Sequence, residues 1–166
     1  MNKMLAVLFM VFAAAACLPA ETVMVSIQTE GDVPLAENKA LLPEAFAIED
    51  GIMNEFFDEG HIVFNAGILA PAPPEPPFKA ESAGMRLAKS GGASLLLEII
   101  IRWASGPSDD QLTVESVYFR FIQVLSGNIL ADGALAADTI SPEFKSAQEI
   151  GFEMGKNLAR LALSVL

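Results

Sequence analysis

The stretch Lys89-Ser90-Gly91-Gly92-Ala93-Ser94-Leu95-Leu96-Leu97-Glu98-Ile99-Ile100-Ile101-Arg102-Trp103 decides the fold. The glycine pair stops a helix, because glycine adopts the left-handed conformation that a carboxy-terminal cap needs. Ser94 to Trp103 then reads as a strand with an unequal pleat. Leu95, Leu97, Ile99, Ile101 and Trp103 share one side; Ser94, Leu96, Glu98, Ile100 and Arg102 share the other. The first side is core and the second is only half apolar. The apolar faces of helices are expected to pack on the side carrying Leu95, Leu97, Ile99 and Ile101.

Downstream, a turn at Ser105 to Asp110 leads into Leu112 to Leu125, which is β-rich with apolar residues on both sides. On it Val117, Phe119 and Phe121 face one way, and Tyr118, Ile122 and Val124 the other. If three helices are too few to cover both sides, Tyr118 or Phe119 stays at the surface as an aromatic anchor; the alternative is that the second helix or the proline-rich segment covers that side. Ser126-Gly127-Asn128 makes a tight turn into a hairpin partner, Ile129 to Ala137. Ser141 then caps, Pro142 starts and Glu143 supports a helix reaching about Val165. Its Gly151-Phe152-Glu153-Met154-Gly155 matches the small-xxx-small pattern of membrane helices, but Glu149, Glu153, Lys156 and Arg160 exclude a span. Phe144, Ala147, Gly151, Met154, Gly155, Leu158 and Ala162 form its stripe, which is expected to approach the sheet closely.

Upstream, a helix over about Ala80 to Ser90 places Ala83, Leu87 and Ser90 near one face. Five prolines in the seven residues Pro71 to Pro77 favour an extended, stiff connection within one domain. Ile62-Val63-Phe64 is a short strand after Gly60. Before it, Pro43 to Glu59 reads as a helix with Phe46, Met53 and Phe57 in line and Ala45, Ile52 and Phe56 beside them. Glu44, Asp50, Glu55 and Asp58 occupy its opposite side. Thr22 to Gln28 is the first strand. The order is therefore β-α-β-α-β-β-β-α: an α/β two-layer sandwich with a mixed sheet of about five strands and about three helices.

The amino terminus indicates location. Lys3 precedes the unbroken apolar run Met4 to Ala16, and Cys17-Leu18-Pro19-Ala20 closes it. Thirteen apolar residues are too few to cross a bilayer and suit a secretory signal peptide, residues 1–20, leaving 21–166 as a single mixed α/β domain. Two mature forms stay open: a soluble chain starting at Glu21, or a lipoprotein acylated at Cys17. Cys17 is the only cysteine, so no disulfide holds the fold. The net charge of −11 becomes −12 once Lys3 is removed, and no basic run offsets it. Nucleic acid and anionic lipid headgroups are repelled by such a body.

Three stretches carry a resemblance. Glu59-Gly60-His61-Ile62-Val63, Ala88 to Leu97, and the hairpin from Tyr118 to Leu130 resemble successive steps of a family of bacterial envelope domains. That family includes the TolB amino-terminal domain, the penicillin-binding-protein activator LpoB and the curli-secretion lipoprotein CsgG. The resemblance implies a periplasmic or outer-membrane-associated adaptor that works by binding proteins. Pore formation of the curli-secretion kind would need long membrane-inserting hairpins, and none is visible.

Candidate chemistry is sparse. Asp58 and His61 offer two metal ligands or an acid–base pair, but neither a cysteine nor a second histidine is placed to complete a zinc site. The plainer reading is a partly exposed turn histidine. Glu49 projects onto an apolar helix face; it either reaches solvent at the sheet edge or accepts a bond from Arg102 or Trp103. Asp109-Asp110 reads as a solvated turn lacking the further oxygen ligands of a calcium loop. Ser126 is a turn serine without a nucleophile-elbow pattern. No catalytic, cofactor-binding or metal residue is assigned. The expectation is a non-enzymatic interaction or assembly module of the periplasm or outer membrane, with an envelope protein as partner. A small-ligand binder or carboxylate-based enzyme is the alternative.

Overall fold

The computed structural model describes residues 20–30, 42–68, 82–105, 112–140 and 146–166. The apolar leader with Cys17, the proline-rich segment, the Asp109-Asp110 pair and Ser141 to Phe144 lie outside the described residues. The elements are β1 (Thr22–Thr29), α1 (Leu42–Asp58), β2 (Ile62–Ile68), α2 (Ala83–Gly91), β3 (Leu95–Ser105), β4 (Leu112–Gln123), β5 (Ile129–Ala136) and α3 (Ala147–Leu163), with a short 3-10 turn at Ala137–Thr139. They follow the expected order. The five strands form one mixed sheet, β2-β1-β3-β4-β5. β1 runs parallel to β2 and β3, while β4 is antiparallel to both β3 and β5.

The unequal pleat of β3 sets the layers. Leu95, Leu97, Ile99 and Ile101 are buried with Val23, Val25 and Ile27 of β1 and Val117, Phe119 and Phe121 of β4. Above them lie Ile48, Ile52 and Phe56 of α1 and Met154, Leu158 and Ala162 of α3. Each fully buried aliphatic side chain there contributes roughly 1.5–3 kcal/mol relative to exposure. Two of the three helices thus cover the expected side. α2 lies on the opposite side, where Met85 and Ala88 join Met24, Leu96, Ile122 and Val124 in a smaller cluster.

Several finer expectations are corrected. α1 buries Ala45, Ile48, Ile52 and Phe56, whereas Phe46 and Phe57 are exposed and Met53 is half-buried. The helix is rotated because Gly51 faces α3: a Cβ there would stand 2.1 Å from the Phe152 carbonyl oxygen. Gly155 reciprocates, its position 2.1 Å from the Ile48 carbonyl oxygen. The small-residue stripe of α3 therefore serves a backbone-to-backbone crossing with α1, not close approach to the sheet. α2 buries Gly84, Met85 and Ala88, leaving Ala83, Leu87 and Ser90 outside. Gly84 is the reason, since only a residue without a side chain fits against Ser26 and Glu98. α3 begins at Ala147, later than expected. Ser146 caps it by accepting from the Glu149 amide, and the Glu149 carboxylate accepts from the Ser146 amide in return.

The turns agree with their sequence signals. Gly60, Gly92 and Gly127 adopt φ of 86°, 73° and 72°, the left-handed region that disfavours side chains. They close α1, α2 and the β4–β5 hairpin respectively.

Candidate functional site

The sheet face under α2 carries a polar row that the sequence did not announce. Register places Ser26 beside Glu98, Glu98 beside Arg120, and Arg120 beside Asp132, across four strands. Ser26, Glu98 and Arg120 are buried. Arg120 donates to Glu98 Oε2 from Nε at 3.2 Å and from Nη2 at 2.6 Å. The Ser82 hydroxyl donates to Glu98 Oε1, while its oxygen accepts from the Met85 amide at 3.0 Å as the cap of α2. Both carboxylate oxygens therefore accept hydrogen bonds from within the fold. The arrangement fastens α2 to the sheet, and its chemistry is that of a buried ion pair. Ser26 Oγ is buried without a partner.

A second pairing lies farther along the same face. Glu30 holds the Arg102 guanidinium through both carboxylate oxygens, and that guanidinium stands 4.8 Å from the centre of the Tyr118 ring. The guanidinium beside Glu30 holds its carboxyl below the usual range. Tyr118 is half-buried beneath Arg102, and Phe119 is buried under the helical layer. The expected exposed aromatic stripe on β4 is therefore absent, because α1 and α3 cover one side and a cation stacks on the other.

The remaining candidates fare as follows. Glu49 is buried, not solvent-facing, and its bond comes from Asn65 of β2 rather than Arg102 or Trp103. Burial raises its carboxyl above the usual range, and the Asn65 bond opposes this only in part. Trp103 Nε1 has no partner, and Arg102 is committed to Glu30. His61 is half-buried at the α1–β2 junction, edge-on to the Phe56 ring at 5.8 Å, with Nδ1 buried and unpartnered. No hydrogen bond joins it to Asp58. Ser126 donates to Gln123 Oε1 at 2.7 Å and accepts from the Asn128 amide at 3.2 Å, as a turn serine does. Among the described residues no three histidine, cysteine or carboxylate side chains converge as metal ligands, and no helix is long and apolar enough to cross a membrane.

Among the described residues, clefts open at two places on the surface. One of about 430 Å³ lies between α1 and the start of α3, lined by Ala47, Asp50, Glu149, Phe152 and Glu153 among others. The other, about 360 Å³, lies where β1 and β2 begin and α3 ends, lined by Ala20, Glu21, Glu59, Gly60, His61, Leu163 and Leu166. Ser146 also lines the first, where its hydroxyl oxygen accepts from the Glu149 amide as the cap of α3. The sheet also ends in two edges, β2 and β5. β5 is largely exposed and bears one charge, Asp132.

No protein-family profile and no curated protein sequence matches the chain. Solved structures do. The dodecameric PelC of Paraburkholderia phytofirmans is 18% identical, with 88% of this chain and 86% of that one covered and a TM-score of 0.45. The lipoprotein GNA1162 of Neisseria meningitidis is 15% identical over 87% of this chain and 99% of its own, with a TM-score of 0.47. TolB of Acinetobacter baumannii is 10% identical over 88% of this chain and 29% of its own, with a TM-score of 0.42. The neighbours thus include a lipoprotein and a TolB.

Proposed function

We propose that this is an exported protein of the bacterial cell envelope that binds or assembles another envelope protein without catalysing a reaction. The observation that carries the reading is the open edge of β5. Among the described residues Ile129–Ala136 pair with β4 on one side only, and Gly133 and three alanines give the strand small side chains. An edge strand with one charge and no proline is a template for strand addition by another chain. The engaged state of Glu98 supports the non-catalytic part, since its carboxylate oxygens already have partners. The apolar run Met4 to Ala16 supports export.

One experiment tests the reading. The native chain is isolated from cells, its amino terminus is read by mass, and it is cross-linked to partners in an envelope extract. A start at Glu21 or an acylated Cys17 is expected, with capture lost in Ala134→Lys at unchanged melting temperature. An intact Met1 overturns export, and undiminished capture by Ala134→Lys overturns the edge.

A further inference from the structure

The exposed apolar side chains are not scattered. Among the described residues, nine large ones are strongly exposed: Phe46, Phe57, Ile62, Leu87, Leu125, Ile129, Leu161, Val165 and Leu166. Seven of these lie at one end of the molecule, and only Phe46 and Leu87 do not. Topology defines that end. β1 and β2 start there side by side (Thr22 opposite Ile62), β3 starts beside them, and the β4–β5 hairpin turns there, with Leu95 opposite Gln123. α1 and α3 both finish there, and the cleft of about 360 Å³ joins Ala20, His61 and Leu166 across it.

We infer that this end is a membrane-docking surface that seats its protruding apolar side chains in the interface of a neutral, zwitterionic bilayer. Shape is the first argument. The apolar groups stand on turn tips and helix ends, with Leu125 97% exposed and Phe57 71% exposed, separated by Glu59, Ser126 and Asn128. Isolated protruding apolar groups fit between lipid headgroups, whereas a protein interface wants a contiguous, close-packed patch. Backbone chemistry is the second. Lipid offers few hydrogen bonds, and the turns satisfy their own: Gly127 donates to Gln123 at 2.8 Å, His61 to Phe56 at 3.0 Å, and Leu166 to Leu163 at 3.2 Å.

Chain direction is the third. Ala20 lies on this end, three residues in sequence after Cys17 and the apolar run before it. Three residues span at most about 10 Å, so an anchor at Cys17 would hold this same end against a bilayer. Charge selects the lipid. Glu21, Asp58 and Glu59 lie at this end against Lys89 in the last turn of α2, and with a net charge of −11 on the chain anionic headgroups would be repelled.

The inference rests on the export reading only for which membrane is met, because docking itself can be read on vesicles. The mature protein as cells make it is given an environment-sensitive label at Leu125→Cys or, as a control at the far end of β4, at Glu115→Cys. On the export reading Cys17 is acylated or removed and does not compete; where the mass shows an intact Met1, the label is read in a Cys17→Ser background. On phosphatidylcholine–phosphatidylethanolamine vesicles the label at position 125 is expected to shift to the blue and become protected from aqueous iodide, and that at 115 to do neither. Adding phosphatidylglycerol weakens the effect. Phe57→Ser combined with Leu125→Ser leaves the melting temperature unchanged and lowers binding by roughly tenfold or more in a form without an acyl anchor; in an acylated form, a label at Ile129→Cys loses its protection. Equal iodide access at 125 and 115 in the presence of vesicles overturns the inference, including the case where this end serves a protein partner instead. An intact Met1 would sink the export reading while leaving the vesicle result to stand or fall alone.

Discussion

The two faces of the sheet are built on different principles. Under α1 and α3 the face is held by area: Val25, Leu97, Ile99, Ile101 and Phe121 are fully buried, and their neighbours are aliphatic or aromatic. Under α2 the face is held by pairing. The nine-residue α2 contributes only Met85 and Ala88 as buried side chains beyond Gly84, and Glu98, Arg120, Ser82 and Ser26 lie beside them. A helix this short has little stability of its own. Area tolerates small losses and fails on charge, while pairing tolerates apolar replacement of both partners and fails when one is removed.

The largest test of that contrast is Ile99→Asp, which places an unpaired carboxylate among the aliphatic side chains of the helix-covered core. It should unfold the protein outright, a loss on the order of a small domain's entire stability. A native melting temperature would refute the placement of β3. Next is Arg120→Met. Leaving Glu98 buried and uncompensated should cost about 3–5 kcal/mol in thermal or denaturant unfolding, and adding Glu98→Leu should recover most of it. A single-variant cost below about 1 kcal/mol would mean that area holds both faces.

The smallest effect lies at Glu49, the exception within the area-held layer. Its carboxyl is raised by burial, so the charged form is the one penalised. The penalty is absent below the ordinary glutamate range and grows as pH rises through the folded value. Glu49→Gln should therefore raise the melting temperature by a few degrees at pH 7 and leave it unchanged near pH 4. A gain at both pH values would assign the effect to something other than ionisation.

Much of the architecture was legible because it rests on local chemistry. The alternation along Leu95 to Trp103 and the turns at Gly60, Gly92 and Gly127 are properties of a few adjacent residues each. What failed was relational. The Glu98–Arg120 pair depends on the β3–β4 register, which the connection over residues 106–111 does not fix in the sequence. Periodicity puts Phe46 and Phe57 on the core line of α1, because nothing local says that Gly51 will meet Phe152 and turn the helix. Likewise α2 was given the wrong face, since the bond from Ser82 to Glu98 acts across 16 residues.

The glycine crossing also bears on the order of assembly. Gly51 and Gly155 stand roughly a hundred residues apart in the chain, yet α1 and α3 meet there backbone against backbone. A contact of such separation closes late, after the local hairpin and the shorter loops. Until α3 arrives, α1 lacks the neighbour that fixes its rotation, and the aliphatic face of the sheet stays only half roofed. Loop closure therefore costs more entropy at this crossing than at the β4–β5 hairpin, and α3 acts as the clasp on α1.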